Sequence, residues 1–304
     1  MALDDDYLRY PHRQAGMDHS LYPTSNLFER PKIAWPGGKK VALWITVALE
    51  FFPLTPNDGP VRAPGAMVTP FPDYRTFTTK DYGNRVGIYR IMRVLEAAGF
   101  KATAFMNSAL ARRYPALLGD VQGAGWEIAA HGVDMNHVHH GALPKEEERA
   151  QINACLDEFA AHNVQPKGWL SPARSESHQT SQLLAEAGVE WFGDWGNDDM
   201  PYAFSSGVTA MPFTDELEDR KCLVTLGQRE EVWEEQVLDA YDWLSVEAAD
   251  HGGRILHIAL TPYVIGQPFR IQSLRNVLGH LGEKSDIWCA SGTEICEAWC
   301  AGST

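Results

Sequence analysis

No apolar run in the 304 residues approaches the ~18 needed to cross a bilayer, so no membrane-spanning helix is expected. Positive charge is scarce as well: 26 lysines and arginines face 40 aspartates and glutamates, a net charge of −14. That acidic balance disfavours nucleic acid and anionic membrane as partners, and it favours solubility. Cysteine is sparse. Cys155, Cys222, Cys289, Cys296 and Cys300 form an odd set without a Cys-x-x-Cys. A zinc site built from them lacks paired ligands at the usual spacing, and reduced core thiols are the expectation. Met1 to Tyr10 carries Asp4, Asp5 and Asp6 and no apolar core, so it does not read as a signal peptide. A cytoplasmic location is expected. There is no internal repeat and no low-complexity segment.

What is present is a globular composition, 44% hydrophobic and 22% charged, with enough apolar material for a full core. Residues 1–40 are rich in Pro, Tyr and His without periodicity and read as an extended arm. Residues 41–304 read as one catalytic barrel. The first strong strand is Val41 to Leu49 (VALWITVAL), followed by a proline-rich loop from Phe52 to about Asp81. A helical pattern then covers Asn84 to Ala98 and stops at Gly99. Strands are expected at 102–106, 127–130, 168–170, 190–194, 208–213, 254–260 and 287–290. Helices are expected at 108–118, 145–162, 177–187, 230–249 and 271–281, with one more at the C-terminus. About seven strands alternating with helices argue for a parallel sheet with right-handed crossovers. If that sheet closes into a barrel, the C-terminal strand ends share one mouth, where such barrels keep their active sites.

Chemistry-bearing residues sit at those strand ends. Glu50 follows the first strand, His131 follows GWEIAA, and Ser171-Pro172-Ala173-Arg174 follows GWL. Asp194-Trp195 ends EWFG, with Asn197, Asp198 and Asp199 directly after. His257 lies inside RILHIAL, and Thr261-Pro262-Tyr263 closes that strand. Alternation along the strand puts His257 and Thr261 on the same face. Each position alone is more often a turn former or a helix cap. Together they suit amide hydrolysis, which needs a base for water, an oxyanion stabiliser and an acid for the leaving nitrogen. Glu50 or His131 can be the base, Arg174 can hold the oxyanion, His257 can supply the proton, and Asp194 can orient a histidine. Trp195 and Tyr202 can wall a small pocket. His137, Asn197, Asp198, Thr261 and Tyr263 are the remaining candidates for substrate contacts.

VALEFF, EIAAHG, GWLSPARSES, DWGNDDMPY and LTPYVIGQPFRI, in that order, resemble the polysaccharide deacetylase superfamily (carbohydrate esterase family 4). Within it they are most similar to the branch of metal-independent allantoinases and cyclic-imide hydrolases, as is YGNRVGIYR at Tyr82 to Arg90. The resemblance covers about Val41 to the C-terminus and implies a distorted parallel (β/α) barrel of about seven strands. It also implies a homo-oligomer acting on a small-molecule substrate. Sugar deacetylases of this superfamily hold one metal with an Asp-Asp pair and a later His-x-x-x-His pair. Here the first motif is Leu49-Glu50-Phe51, and the residue four past His131 is Met135. A catalytic zinc needs about three protein ligands, and Glu50 and His131 make two. No cofactor is therefore expected, with zinc the alternative if His137, His139 or His140 rebuild the site. Thr261 stands where related sequences often carry His. The expected activity is metal-free hydrolysis of a C–N bond in a cyclic amide, imide or ureide. The alternatives are a metal-dependent N-deacetylase of an amino sugar and a catalytically inactive ligand-binding homologue.

Overall fold

The computed structural model describes residues 19–56, 59–66 and 72–302. Strand β1 (Val41–Leu49) organises it. Side chains on a strand alternate between its two faces. Val41, Leu43, Ile45, Val47 and Leu49 thus face outward, into the cluster that holds Ile91 and Leu95 of one helix and Leu274 and Val277 of another. Ala42 and Trp44 face inward and pack with Phe105, Trp191 and Ile255. With both faces covered, β1 can be apolar along its whole length, as central parallel strands are.

The order after β1 is α1 (Tyr74–Tyr82), α2 (Ile88–Ala98), β2 (Thr103–Met106), α3 (Ser108–Arg113), α4 (Pro115–Gly123) and β3 (Glu127–Ala130). Then come α5 (Lys145–Ala161), β4 (Gly168–Trp169), α6 (Thr180–Glu186), β5 (Trp191–Phe192), β6 (Tyr202–Ala203) and β7 (Thr209–Ala210). The chain continues through α7 (Glu230–His251), β8 (Arg254–Leu260), α8 (Ile271–Gly282), β9 (Ile287–Cys289) and α9 (Gly292–Gly302). The strands form one sheet in the order β6-β7-β5-β4-β3-β2-β1-β8, parallel except where β6 meets β7. β1 is shared lengthwise: its first residues pair with β9 and its last with β2, while β8 runs beside it from Val41 to Val47. The sheet curls into a half-barrel, a distorted (β/α) barrel. Trp44, Phe105 and Trp191 plug its interior, with ring centroids 5.8 to 6.1 Å apart. The strand ends above this plug are left open for a site.

Several local expectations need correction. The loop expected to run to Asp81 contains α1, which Asp73 caps by accepting the Thr76 N–H at 3.1 Å. This helix buries none of its residues, so it carries no apolar stripe for periodicity to detect. The single helix expected over 108–118 is two, because Pro115 cannot continue α3 and instead starts α4. The helix expected from Ser177 begins at Thr180, and the short antiparallel β6 was not foreseen. Within the N-terminal arm, residues 19–40 run over this chain. Trp35 is 1% exposed, and its indole N–H donates to the Arg254 carbonyl at 2.9 Å. The acidic stretch from Met1 to Tyr10 lies outside the described residues. The five cysteines are free; Cys155, Cys222 and Cys296 are buried, but Cys300 is exposed. Among the described residues no helix is long and apolar enough to cross a membrane.

Candidate active site

A cavity of about 330 Å³ opens at the C-terminal strand ends. The inward faces of β1 and β8 floor it with Thr46, Ala48, Ala259 and Thr261, and Glu50, His131 and Arg174 reach it from three strand ends. The turn after β7 adds Asp215, Glu218, Arg220 and Lys221.

Two asparagines fix the strand ends. Asn107, wholly buried directly after β2, accepts the Phe51 N–H at 2.7 Å and donates to the His131 carbonyl. It therefore ties the exit of β1 to the exit of β3. Asn84 donates to the Glu50 carbonyl at 3.0 Å. Gly132, at φ +66°, lets the chain turn away after His131, and a Cβ there would meet Pro172 Cγ at 2.6 Å. Next to Pro172, Ala173 and Arg174 both adopt left-handed φ, +63° and +50°. Such residues cost ~1–3 kcal/mol each and gather where a site needs them. Here they carry Arg174 into the cavity.

His131 is 3% exposed, and its Nδ1 lies 2.7 Å from the Leu170 carbonyl. A carbonyl can only accept, so Nδ1 carries the hydrogen and Nε2 keeps a bare lone pair. Burial, reinforced by the Arg220 charge, lowers the pKa to about 4, so the ring is neutral at neutral pH. The Glu50 carboxylate is 5% exposed. It lies 3.4 Å from Arg220 Nη1 and accepts from the Tyr263 hydroxyl at 3.4 Å. Lys80 sits nearby, its ammonium 3.9 Å from the Tyr263 ring centre. Burial pulls its pKa down to about 8 against the attraction of Glu50.

Other expected residues are placed differently. Arg174 lines the cavity, with its Nη2 2.5 Å from Asp215 and its guanidinium 4.6 Å above the Phe213 ring. Asp194 does not orient a histidine. It accepts the Ser171 N–H at 2.7 Å, and burial raises its pKa to about 6. His257 is on the inward face, but both ring nitrogens are engaged. Nδ1 accepts the Thr214 N–H at 2.9 Å, so the hydrogen on Nε2 points to Thr46 Oγ1, also at 2.9 Å. Packed between Trp44 and Phe213, with burial lowering its pKa to about 3, it forms part of the wall and has no free proton to donate.

His137 pairs with Asp134 at 2.7 Å outside the cavity. Trp195 donates to Glu176 at 2.7 Å and packs on Tyr22 and Phe204. Asn197, Asp198 and Tyr202 line another cavity, of about 350 Å³, near the opposite end of β8. There Asn197 bonds both Tyr22 and Tyr202, and Asp198 lies 2.5 Å from Arg30. These residues thus hold the N-terminal segment in place. Asp198 also accepts the Met200 N–H at 3.0 Å, as a turn former would.

Sequence reasoning missed Arg220 and Asp219, because TDELEDRK reads as a solvated charged run. It also missed Asn107, which the same strand-end criterion would have found. Asp219 is wholly buried, accepts the Thr261 and Ile265 N–H groups, and has its pKa raised by burial to about 7.

A family model described as polysaccharide deacetylase matches residues 71–192. Over that stretch the chain is similar to the polysaccharide deacetylase family. The matched stretch contains His131 and Arg174, while Glu50, Arg220 and Thr261 flank it. A Schizosaccharomyces pombe protein described as a "putative polysaccharide deacetylase" is 23% identical over 241 residues, 73% of this chain and 75% of that protein. Among solved structures, PuuE allantoinase superposes with a TM-score of 0.80 at 21% identity, covering 92% of this chain and 98% of that one. A Pseudomonas aeruginosa PAO1 protein described as a "probable polysaccharide deacetylase" gives the same score, identity and coverage. These likenesses establish the fold.

The metal of sugar deacetylases does not fit the donors present. Met135, at the position of the expected second histidine, is 3% exposed and packs with Phe52, Ala63 and Val138. His139 is stacked on Trp169, beside Glu148. Among the described residues no group of three or more His, Cys, Asp or Glu side chains could hold a metal ion.

Proposed function

We propose that the domain hydrolyses a C–N bond in a small cyclic amide, imide or ureide, using its own side chains rather than a bound metal. The observation that carries this reading is the pairing of two acceptors, the Glu50 carboxylate and the bare Nε2 of His131, in one cavity whose third ligand position is Met135. Two acceptors without a third ligand suit a water molecule better than a zinc ion. The water gives one hydrogen to each acceptor. Its oxygen adds to the carbonyl carbon while Glu50 takes a proton. When the carbonyl reforms and the C–N bond breaks, the same proton passes to the leaving nitrogen.

Size and bond chemistry support a small ring. A cavity of about 330 Å³ lies near the lower end of ligand pockets and suits a heterocycle better than a polysaccharide strand. An imide or ureide nitrogen leaves more readily than a simple amide nitrogen. A site without a metal's several kcal/mol of Lewis-acid help is therefore matched to the easier bond, since ~1.36 kcal/mol is tenfold in rate. The likeness to an allantoinase favours the same class.

The test is ring opening of succinimide, hydantoin, phthalimide and allantoin by purified protein in excess EDTA, with an N-acetylglucosamine oligomer alongside. Turnover of a ring substrate is expected to survive the chelator. Activity only on the acetylated sugar, restored by added zinc, would replace this reading with a metal-dependent deacetylase. Tight binding of a ring amide without turnover would point to a ligand-binding homologue.

A further inference from the structure

Arg220 opens a π-helical turn, Arg220–Thr225, of a kind often found at functional sites. The residue before it, Asp219, is bolted to the end of β8 through the Thr261 and Ile265 amides, which fixes the direction in which Arg220 leaves the backbone. Its guanidinium lies 2.8 Å from Glu218 and 3.4 Å from both Glu50 and the Pro64 carbonyl. Burying a cation is costly unless it is well paired. A purely structural guanidinium beside Glu50 would close into a tight two-pronged pair. Here the contact to Glu50 is long and single, as contacts often are before a substrate tightens them.

We propose that Arg220 is the electrophile of this site. When water adds to the carbonyl, the C=O electron pair moves onto oxygen, and the guanidinium N–H groups take up that negative charge. The pair returns as the C–N bond breaks. The proposal rests on the reading of the cavity as a place where water adds to a carbonyl. Arg174, the residue expected for this task, is already matched to Asp215 at 2.5 Å and stacked on Phe213. The charges also separate the two arginines. Burial lowers the pKa of His131 and of Lys80 and the Arg220 charge adds to it, whereas the Arg174 charge reaches His257 and Asp194, and both arginines act on Glu218. Of the two, Arg220 stands among the groups that handle the water.

The test uses Arg220→Met and Arg220→Lys in the full chain, checked for native circular dichroism. Dimethylphosphinate, a small tetrahedral anion, is titrated by ³¹P NMR, and turnover of the best ring substrate is followed with and without added guanidinium. For R220M the expected results are a kcat loss of about 10²–10³-fold with little change in KM, and partial rescue by guanidinium. Phosphinate affinity should fall at least about tenfold in both variants, because lysine offers one point charge and no fork. Unchanged phosphinate affinity would overturn the proposal. So would a kcat loss that guanidinium cannot restore and that comes with a raised KM, since Arg220 would then only hold Glu50. R220K decides the question alone if R220M does not fold. Should the wild type open none of the rings, the functional reading fails while the phosphinate titration still tests Arg220.

Discussion

Replacing His257 with glutamine tests whether this residue is wall or catalyst. In the folded protein its pKa is lowered from 6.5 to about 3, because burial and the Arg174 charge oppose the imidazolium. Between those values the unfolded chain binds a proton that the native state does not, so stability rises with pH and is lost on acidification. Going from about pH 7 to about pH 4.5, this one group removes about 2.5 kcal/mol. At a urea slope of ~2.5 kcal/mol/M that is a midpoint shift of about 1 M. Glutamine does not titrate, yet its amide can still accept from the Thr214 N–H and donate to Thr46 Oγ1, the two groups now 2.9 Å from the ring. The assay is urea unfolding of wild type and H257Q at both pH values. Other titrating groups are common to the two proteins, so the difference in their pH dependence isolates His257. H257Q is expected to lose about 2.5 kcal/mol less than wild type on acidification and to keep its turnover. Identical pH dependence would refute the linkage argument. Abolished turnover in a variant of unchanged stability would make His257 a proton donor after all.

Asn107→Ala leaves the half-buried Phe51 N–H and the buried His131 carbonyl without their side-chain partner. At ~1–3 kcal/mol per orphaned group, a clear fall in melting temperature and in kcat is expected, and an unchanged kcat would remove Asn107 from the positioning of Glu50 and His131. Gly132→Ala places a Cβ at φ +66° and 2.6 Å from Pro172 Cγ. Left-handed backbone alone costs ~1–2 kcal/mol for a non-glycine residue, so a variant as stable as wild type in urea would contradict the close approach. For His131, lowered to about 4, kcat/KM should rise with pH through that value and be level well before neutrality. A half-point near 6.5, the ordinary value for histidine, would mean that the ring is hydrated rather than buried.

Much of the architecture is local and therefore legible. VALWITVAL reads as a strand and is one, Gly99 ends α2 in a left-handed cap, and alternation puts His257 and Thr261 on one face of β8. The strand ends named Glu50, His131, Arg174 and Thr261, and all four line the cavity, because a parallel barrel gathers those ends whatever its loops do. Met135 in place of a second histidine was legible through the resemblance to the sugar deacetylases, which supplies the pattern it departs from. What periodicity and spacing could not carry were contacts across long stretches of chain. Arg220 meets Glu50 over 170 residues, and Thr46 occupies the His257 nitrogen over 211. Whether DWGNDDMPY faces the catalytic mouth or the N-terminal segment depends on how the sheet closes, and it closes with Asn197 against Tyr22. The sequence by itself determined which residues stand at the rim of the barrel, since strand alternation and turn chemistry are properties of neighbours. Only the tertiary structure decided which of them keep a free lone pair or proton, since that depends on partners arriving from distant segments.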